Sequence, residues 1–198
     1  MFYHASPIAG IECLIPHVSE HSRGIPQVFF SKKRENTLPY LCNAIQKYCR
    51  ETGFLWDGPW TNWGPYVFSA DGTLRLEEYY PDAAADTYRG VSGYIYRAAR
   101  LPDAAVLPGI PDAFMSGQAV PVLGCEFVAD AYAEILKAQR EGKITLLRYE
   151  ELDGRRRERV AHMVNQEYAG AAAHPEYRHF LRGKFGALLQ TKTKENTD

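Results

Sequence analysis

A chain of 198 residues with 45% hydrophobic side chains is long enough to bury a core, and one domain over residues 1–190 with a flexible tail at 191–198 is the expected organisation. Its 23 Lys and Arg nearly cancel its 24 Asp and Glu, so no overall field draws it to nucleic acid or to an anionic membrane. No apolar run approaches the roughly 20 residues of a membrane span, no basic and apolar leader opens the chain, and the four cysteines lack the C-x-x-C spacing of a zinc site. The expectation is a cytoplasmic protein with no membrane partner, scattered and mostly buried thiols, and no metal.

Residues 2–5 read as a short first strand, and residues 7–24 as an irregular loop rich in turn formers. A second strand follows at 27–31. Leu38, Leu41, Cys42, Ile45 and Cys49 then recur at spacings of three and four, which predicts one amphipathic helix running to about Glu51, capped by Asn36 or Thr37 with Pro39 in its first turn. Residues 56–66 are loop-like and hold all three tryptophans, Trp56, Trp60 and Trp63, a cluster that packs under a loop or stacks a ring of an acceptor. Strand-like residues 66–69 and 73–77 flank Asp71-Gly72, a hairpin signal. Residues 91–98 alternate as a strand, the Pro-rich stretch 101–121 reads as a surface excursion, and 122–128 as another strand. Helices are expected at 130–141, with Gly142 as the stop, and at 154–169 and 175–189, with a strand at 144–149 between. Strands gather early and helices late, which predicts an α+β fold with a C-terminal helical segment.

Three pieces bear chemistry together: Tyr3-His4-Ala5-Ser6 on the first strand, Val28-Phe29-Phe30-Ser31 with Tyr40 eleven residues after Phe29, and Cys125-Glu126-Phe127-Val128 on a late strand. This set resembles the ADP-ribosyltransferase superfamily, in the His-Tyr-Glu branch that includes the poly(ADP-ribose) polymerases. The resemblance covers residues 2–40 and the neighbourhood of Glu126. It implies a split antiparallel β-sheet core and an NAD-binding cleft. His4 would hydrogen-bond the adenosine ribose, and the backbone of Ala5 would take the two bonds of the nicotinamide carboxamide. Thr37 would place a hydroxyl on the same carboxamide, Phe29, Phe30 and Ser31 would line the cleft, Tyr40 would stack on the nicotinamide, and Glu126 would hold the 2′-hydroxyl of the nicotinamide ribose.

Physical chemistry gives those residue types independent sense. Cleaving nicotinamide from ribose passes through an oxocarbenium-like state, which a nearby carboxylate stabilises. An aromatic face holds the departing ring in one orientation. The implied activity is transfer of ADP-ribose from NAD to an acceptor, or hydrolysis of NAD, with the acceptor left open between protein, nucleic acid and small molecule. Transfer of a terminal RNA phosphate to NAD, a related reading, calls for a basic face that the near-neutral charge does not offer. Ala5 stands where the family has Gly, and Phe29 where it has Tyr. These departures keep open a second reading, a non-catalytic NAD-binding or protein-interaction module with a vestigial cleft. His17 and His21 sit four apart in a loop without an obvious third ligand. The basic, aromatic stretch 177–184 could bind phosphates.

Overall fold

The computed structural model describes residues 1–18, 24–58, 66–69 and 71–189. Trp60, Trp63, His21 and the tail lie outside the described residues. The described chain is α+β, with a six-stranded sheet whose pairings are all antiparallel and five α-helices.

In chain order the strands are β1 (Phe2–Ser6), β2 (Cys13–Leu14), β3 (Val28–Ser31), β4 (Tyr66–Phe68), β5 (Leu74–Glu77), β6 (Gly93–Ala98), β7 (Ala105–Val106), β8 (Ala113–Ser116), β9 (Val120–Pro121), β10 (Gly124–Val128) and β11 (Ile144–Leu147). The helices are α1 (Ala44–Glu51), α2 (Ala83–Tyr88), α3 (Ala131–Arg140), α4 (Gly154–Gly170) and α5 (Pro175–Phe185). The main sheet runs β10-β6-β1-β3-β8-β7. A three-stranded sheet runs β11-β5-β4, with β11 parallel to β5, and β2 pairs with β9.

Alternation along the strands divides the main sheet into two apolar faces. Ile95, Val128, Tyr3 and Ala5 meet Leu38, Ile45, Ile135, Val164 and Phe180 in the larger core, beneath the helices. Tyr96, Phe30, Phe2 and Phe114 belong to a second cluster with Leu14 and Val120 on the opposite face. Gly93 lies where β6 crosses under the larger core. A Cβ there would come within 2.6 Å of the Leu41 side chain and 3.1 Å of the Ser6 carbonyl, so close packing demands glycine. Helix α3 begins as its sequence predicts, with the Asp130 carboxylate accepting from the Ala133 amide at 3.0 Å. It stops before Gly142, whose φ of 70° a side chain would resist.

The structure corrects the sequence reading at several places. The single helix expected up to Glu51 is a 3-10 helix, Glu35–Tyr40, then a break, then α1. Asn36 and Thr37 do not cap it; both are buried inside the 3-10 turn. The Pro-rich excursion contributes β7, β8 and β9, and β8 pairs with all four residues of β3. Helix α2 was not foreseen. Of the cysteines, Cys42 and Cys49 are buried, Cys13 is half-buried and Cys125 is exposed. The hairpin of β4 and β5 turns at Asp71-Gly72 as expected, with the Thr73 amide bonded to the Asp71 carboxylate at 2.9 Å. Among the described residues no helix is long and apolar enough to cross a membrane. Nor, among them, do three His, Cys, Asp or Glu side chains gather as a metal would need.

Candidate functional site

The main sheet is nearly parted in its middle. β1 pairs with five residues of β6 but with β3 only through Tyr3 and Ser31. Two residues further along, continued pairing would set Ala5 against Phe29, and the ladder does not continue there. The Phe29 carbonyl instead accepts from His4 Nδ1 at 2.8 Å. A carbonyl only accepts, so Nδ1 carries the hydrogen and Nε2 is left as a bare acceptor. Nε2 has no hydrogen-bond partner among the described residues. Burial holds the imidazole below its usual pKa against the opposing pull of the Phe29 carbonyl, so at neutral pH His4 is uncharged.

The register settles which expected residues share a face, because directly opposed residues in an antiparallel sheet project to the same side. Ala5, Ile95 and Glu126 form one cross-strand row; His4, Tyr96 and Cys125 form the adjacent row on the other face. The Cα atoms of Ala5 and Glu126 are thus two strand spacings apart, about 10 Å. The expected gathering of His4 and Glu126 around one cavity is not found. His4 sits in the opening of the sheet, its ring centroid 5.8 Å from that of Phe30. Glu126 projects to the side carrying the 3-10 helix, whose Leu38 joins the larger core.

Glu126 has a partner that the sequence reading missed. Arg34 donates to both carboxylate oxygens, Nε to Oε2 at 2.9 Å and Nη2 to Oε1 at 2.5 Å, and Nη2 also reaches Glu134 of α3 at 2.9 Å. These hydrogen bonds hold the Glu126 carboxyl below the usual carboxylate range, so it is ionised at neutral pH. Arg34, Glu126, Glu134, Lys137, Glu141 and Lys143 line a cavity of about 200 Å³ that His4, Thr37 and Tyr40 do not line. The missed residue left no local signal. Arg34 lies 92 residues from Glu126, in a Ser-Lys-Lys-Arg run that reads as a solvated turn.

The remaining expected residues divide. Tyr40 ends the 3-10 helix at 44% exposure. The Thr37 hydroxyl is committed to the chain, donating to the Arg34 carbonyl at 2.7 Å, and only 3% of the residue is exposed. Phe29 is half-buried on the same face as Ala5. Phe30 is core in the second cluster, and Ser31 Oγ accepts from the Lys33 amide at 3.1 Å. His17 forms an isolated backbone bridge with Gln27.

Ionised Glu126 can accept from hydroxyls or stand against developing positive charge. Neutral His4 can accept one hydrogen bond at Nε2, and the ladder between β1 and β3 does not continue past Tyr3 and Ser31. Comparison of the chain with protein-family models, with curated proteins and with solved structures finds no match.

Proposed function

We propose that the chain binds a nicotinamide dinucleotide at the parting of β1 and β3 and transfers its ADP-ribose, or hydrolyses it, as an ADP-ribosyltransferase. The single observation that carries this reading is the break in the β1–β3 ladder at Ala5, with the Phe29 carbonyl diverted to His4. A carboxamide carries one donor group and one acceptor, the complement of a strand residue's N–H and C=O, and the edge of β1 at Ala5 suits it. Nε2 of His4 accepts a ribose hydroxyl on the opposite face from Glu126, so in this reading the dinucleotide passes through the parting of the two strands to bring its nicotinamide ribose to the Glu126 side. Ala5, Phe29 and Glu126 face the side on which the 3-10 helix packs, so a nicotinamide held at Ala5 has a carboxylate two strands away on the same face. Glu126 then opposes the positive charge that develops on the ribose as nicotinamide leaves. In this reading the acceptor is a nucleophile on a protein, a nucleic acid or a small molecule.

A second reading, an NAD-binding or protein-interaction module without turnover, is favoured by one observation: Arg34 occupies both oxygens of Glu126. Thermal stabilisation by NAD together with nicotinamide release separates the readings. A ligand at 100 times its Kd stabilises the folded state by about 2.7 kcal/mol. The transferase reading expects stabilisation in the wild type and in Glu126→Gln, with nicotinamide release reduced about 100-fold in the variant. Stabilisation without release in the wild type leaves the binding module. No stabilisation at millimolar NAD removes the dinucleotide altogether.

A further inference from the structure

Away from the parted sheet, α5, the turn that follows α4 and the segment after α1 border a second, open pocket of about 240 Å³, lined by Phe54, Ala172, Pro175, Arg178, His179 and Arg182. Two arginines line it. Arg34, Arg75, Arg148 and Arg156 each hold a carboxylate. Arg178 and Arg182 hold none among the described residues. They converge instead on Tyr168, whose ring centroid lies 4.3 Å from the Arg178 guanidinium and 5.8 Å from that of Arg182, and Arg182 Nη2 donates to the Tyr168 hydroxyl at 2.6 Å. Spacing of four residues on a helix puts the two guanidiniums one turn apart on one face. Arg178 Nε is buried and has no hydrogen-bond partner, a donor that ordinarily finds an acceptor.

The opposite wall is apolar and rigid. His179 stacks on Phe54 with ring centroids 4.1 Å apart and planes 8° from parallel. The Thr52 hydroxyl, 2.8 Å from the Tyr48 carbonyl, also hydrogen-bonds His179 Nε2 at 2.8 Å and orients the ring. Pro175 and Ala172 continue this wall.

The geometry points to a binding site for a phosphomonoester with a planar apolar group, the phosphate on the Arg178–Arg182 pair and the ring along Phe54, Ala172 and Pro175. Two planar guanidiniums with free donors match phosphate oxygens, and such charge-assisted bonds are the strong ones. Burial and the nearby Arg182 cation depress the His179 pKa, and an anion here would relieve that depression. The site is separate from the proposed dinucleotide cleft and does not depend on it.

Titration calorimetry of the full chain with inorganic phosphate, phenyl phosphate and phenol tests the site, alongside proton NMR of the His179 ring. Phenyl phosphate is expected to bind at least about five-fold more tightly than phosphate, phenol not to bind, and the His179 midpoint to rise with phenyl phosphate. Arg182→Gln, at an exposed position, and Arg178→Lys, which keeps charge but loses the fork, should each weaken phenyl phosphate about five-fold or more. His4→Ala should leave it unchanged. Failure of both phosphates to bind, binding that survives both arginine substitutions, or binding lost with His4→Ala would overturn the site. Equal affinity for phosphate and phenyl phosphate, or phenol bound as tightly as phenyl phosphate, would overturn the paired design.

Discussion

Two arginines on the larger-core side of the molecule each grip a carboxylate, and they do so in opposite settings. Arg148 meets Glu78 at 3.0 Å, and Glu78 is 2% exposed. Its Oε1 also accepts from the Ala84 amide at 3.1 Å, and its Oε2 faces the Tyr149 amide at 3.4 Å. That one side chain ties β5's end, α2 and the segment after β11. Arg34 meets Glu126 with half of the Glu126 side chain exposed and a cavity beside it. A buried carboxylate saturated by fixed partners holds the fold together. A half-exposed one, held by a single flexible side chain, can change partners, and this difference separates a structural ion pair from a candidate site.

The sharpest way to break that comparison is to remove each carboxylate's grip in turn. Glu78→Ala strands a cation and two amides that have lost their acceptor, and should cost about 3 kcal/mol. For a chain of this size that is a fall of about 6–12 °C in Tm, read by calorimetry. If the loss is under about 1 kcal/mol, Glu78 is no keystone and the contrast with Glu126 fails.

The next effect concerns the opening. His4→Ala removes the Nε2 acceptor and should weaken NAD about tenfold, or 1.4 kcal/mol, seen as a smaller NAD-induced rise in Tm. NAD affinity equal to the wild type would take His4 out of the site.

The sequence made much of this legible. Short β-branched and aromatic runs marked β1, β3, β6 and β10; Gly142 marked the end of α3; and Asp71-Gly72 marked the turn between β4 and β5. What it hid is non-local. Ala113-Phe114-Met115-Ser116 lies among prolines and glycines and becomes a strand only because β3 offers it a partner some 85 residues back in the chain. The facing of Glu126 depends on a register of three strands, where one residue of slip would turn it to the other side. Arg34's role depends on a contact that no local pattern encodes.

A smaller effect tests the open pair itself. Arg34→Ala should cost about 1–2 kcal/mol, less than Glu78→Ala, because Glu126 is half-exposed and water can replace the guanidinium, although Glu134 loses its partner as well. Its visible consequence is electrostatic: Glu126, no longer held down by the guanidinium, should titrate at higher pH in carbon-detected NMR. An unmoved Glu126 titration would mean that the guanidinium does not set its state.

The least of the effects separates the two regions by pH alone. His4 titrates lower in the folded protein than its ordinary value of about 6.5. As pH falls below about 6.5 the unfolded chain takes up the proton first, so stability is full above that pH, falls on acidification, and levels once the folded imidazole is also protonated. Glu126, with its depressed pKa, keeps its ion pair through that window and loses it only below the usual carboxylate range. Melting curves between pH 7.5 and 5.5 therefore sense the opening and not the Arg34 cleft. His179 is depressed as well and adds a contribution of the same sign, so the comparison needs His4→Ala and His179→Ala side by side. The part of the slope that His4→Ala removes belongs to the opening, and NAD affinity should fall over the same range, since a protonated Nε2 donates and can no longer accept from a ribose hydroxyl.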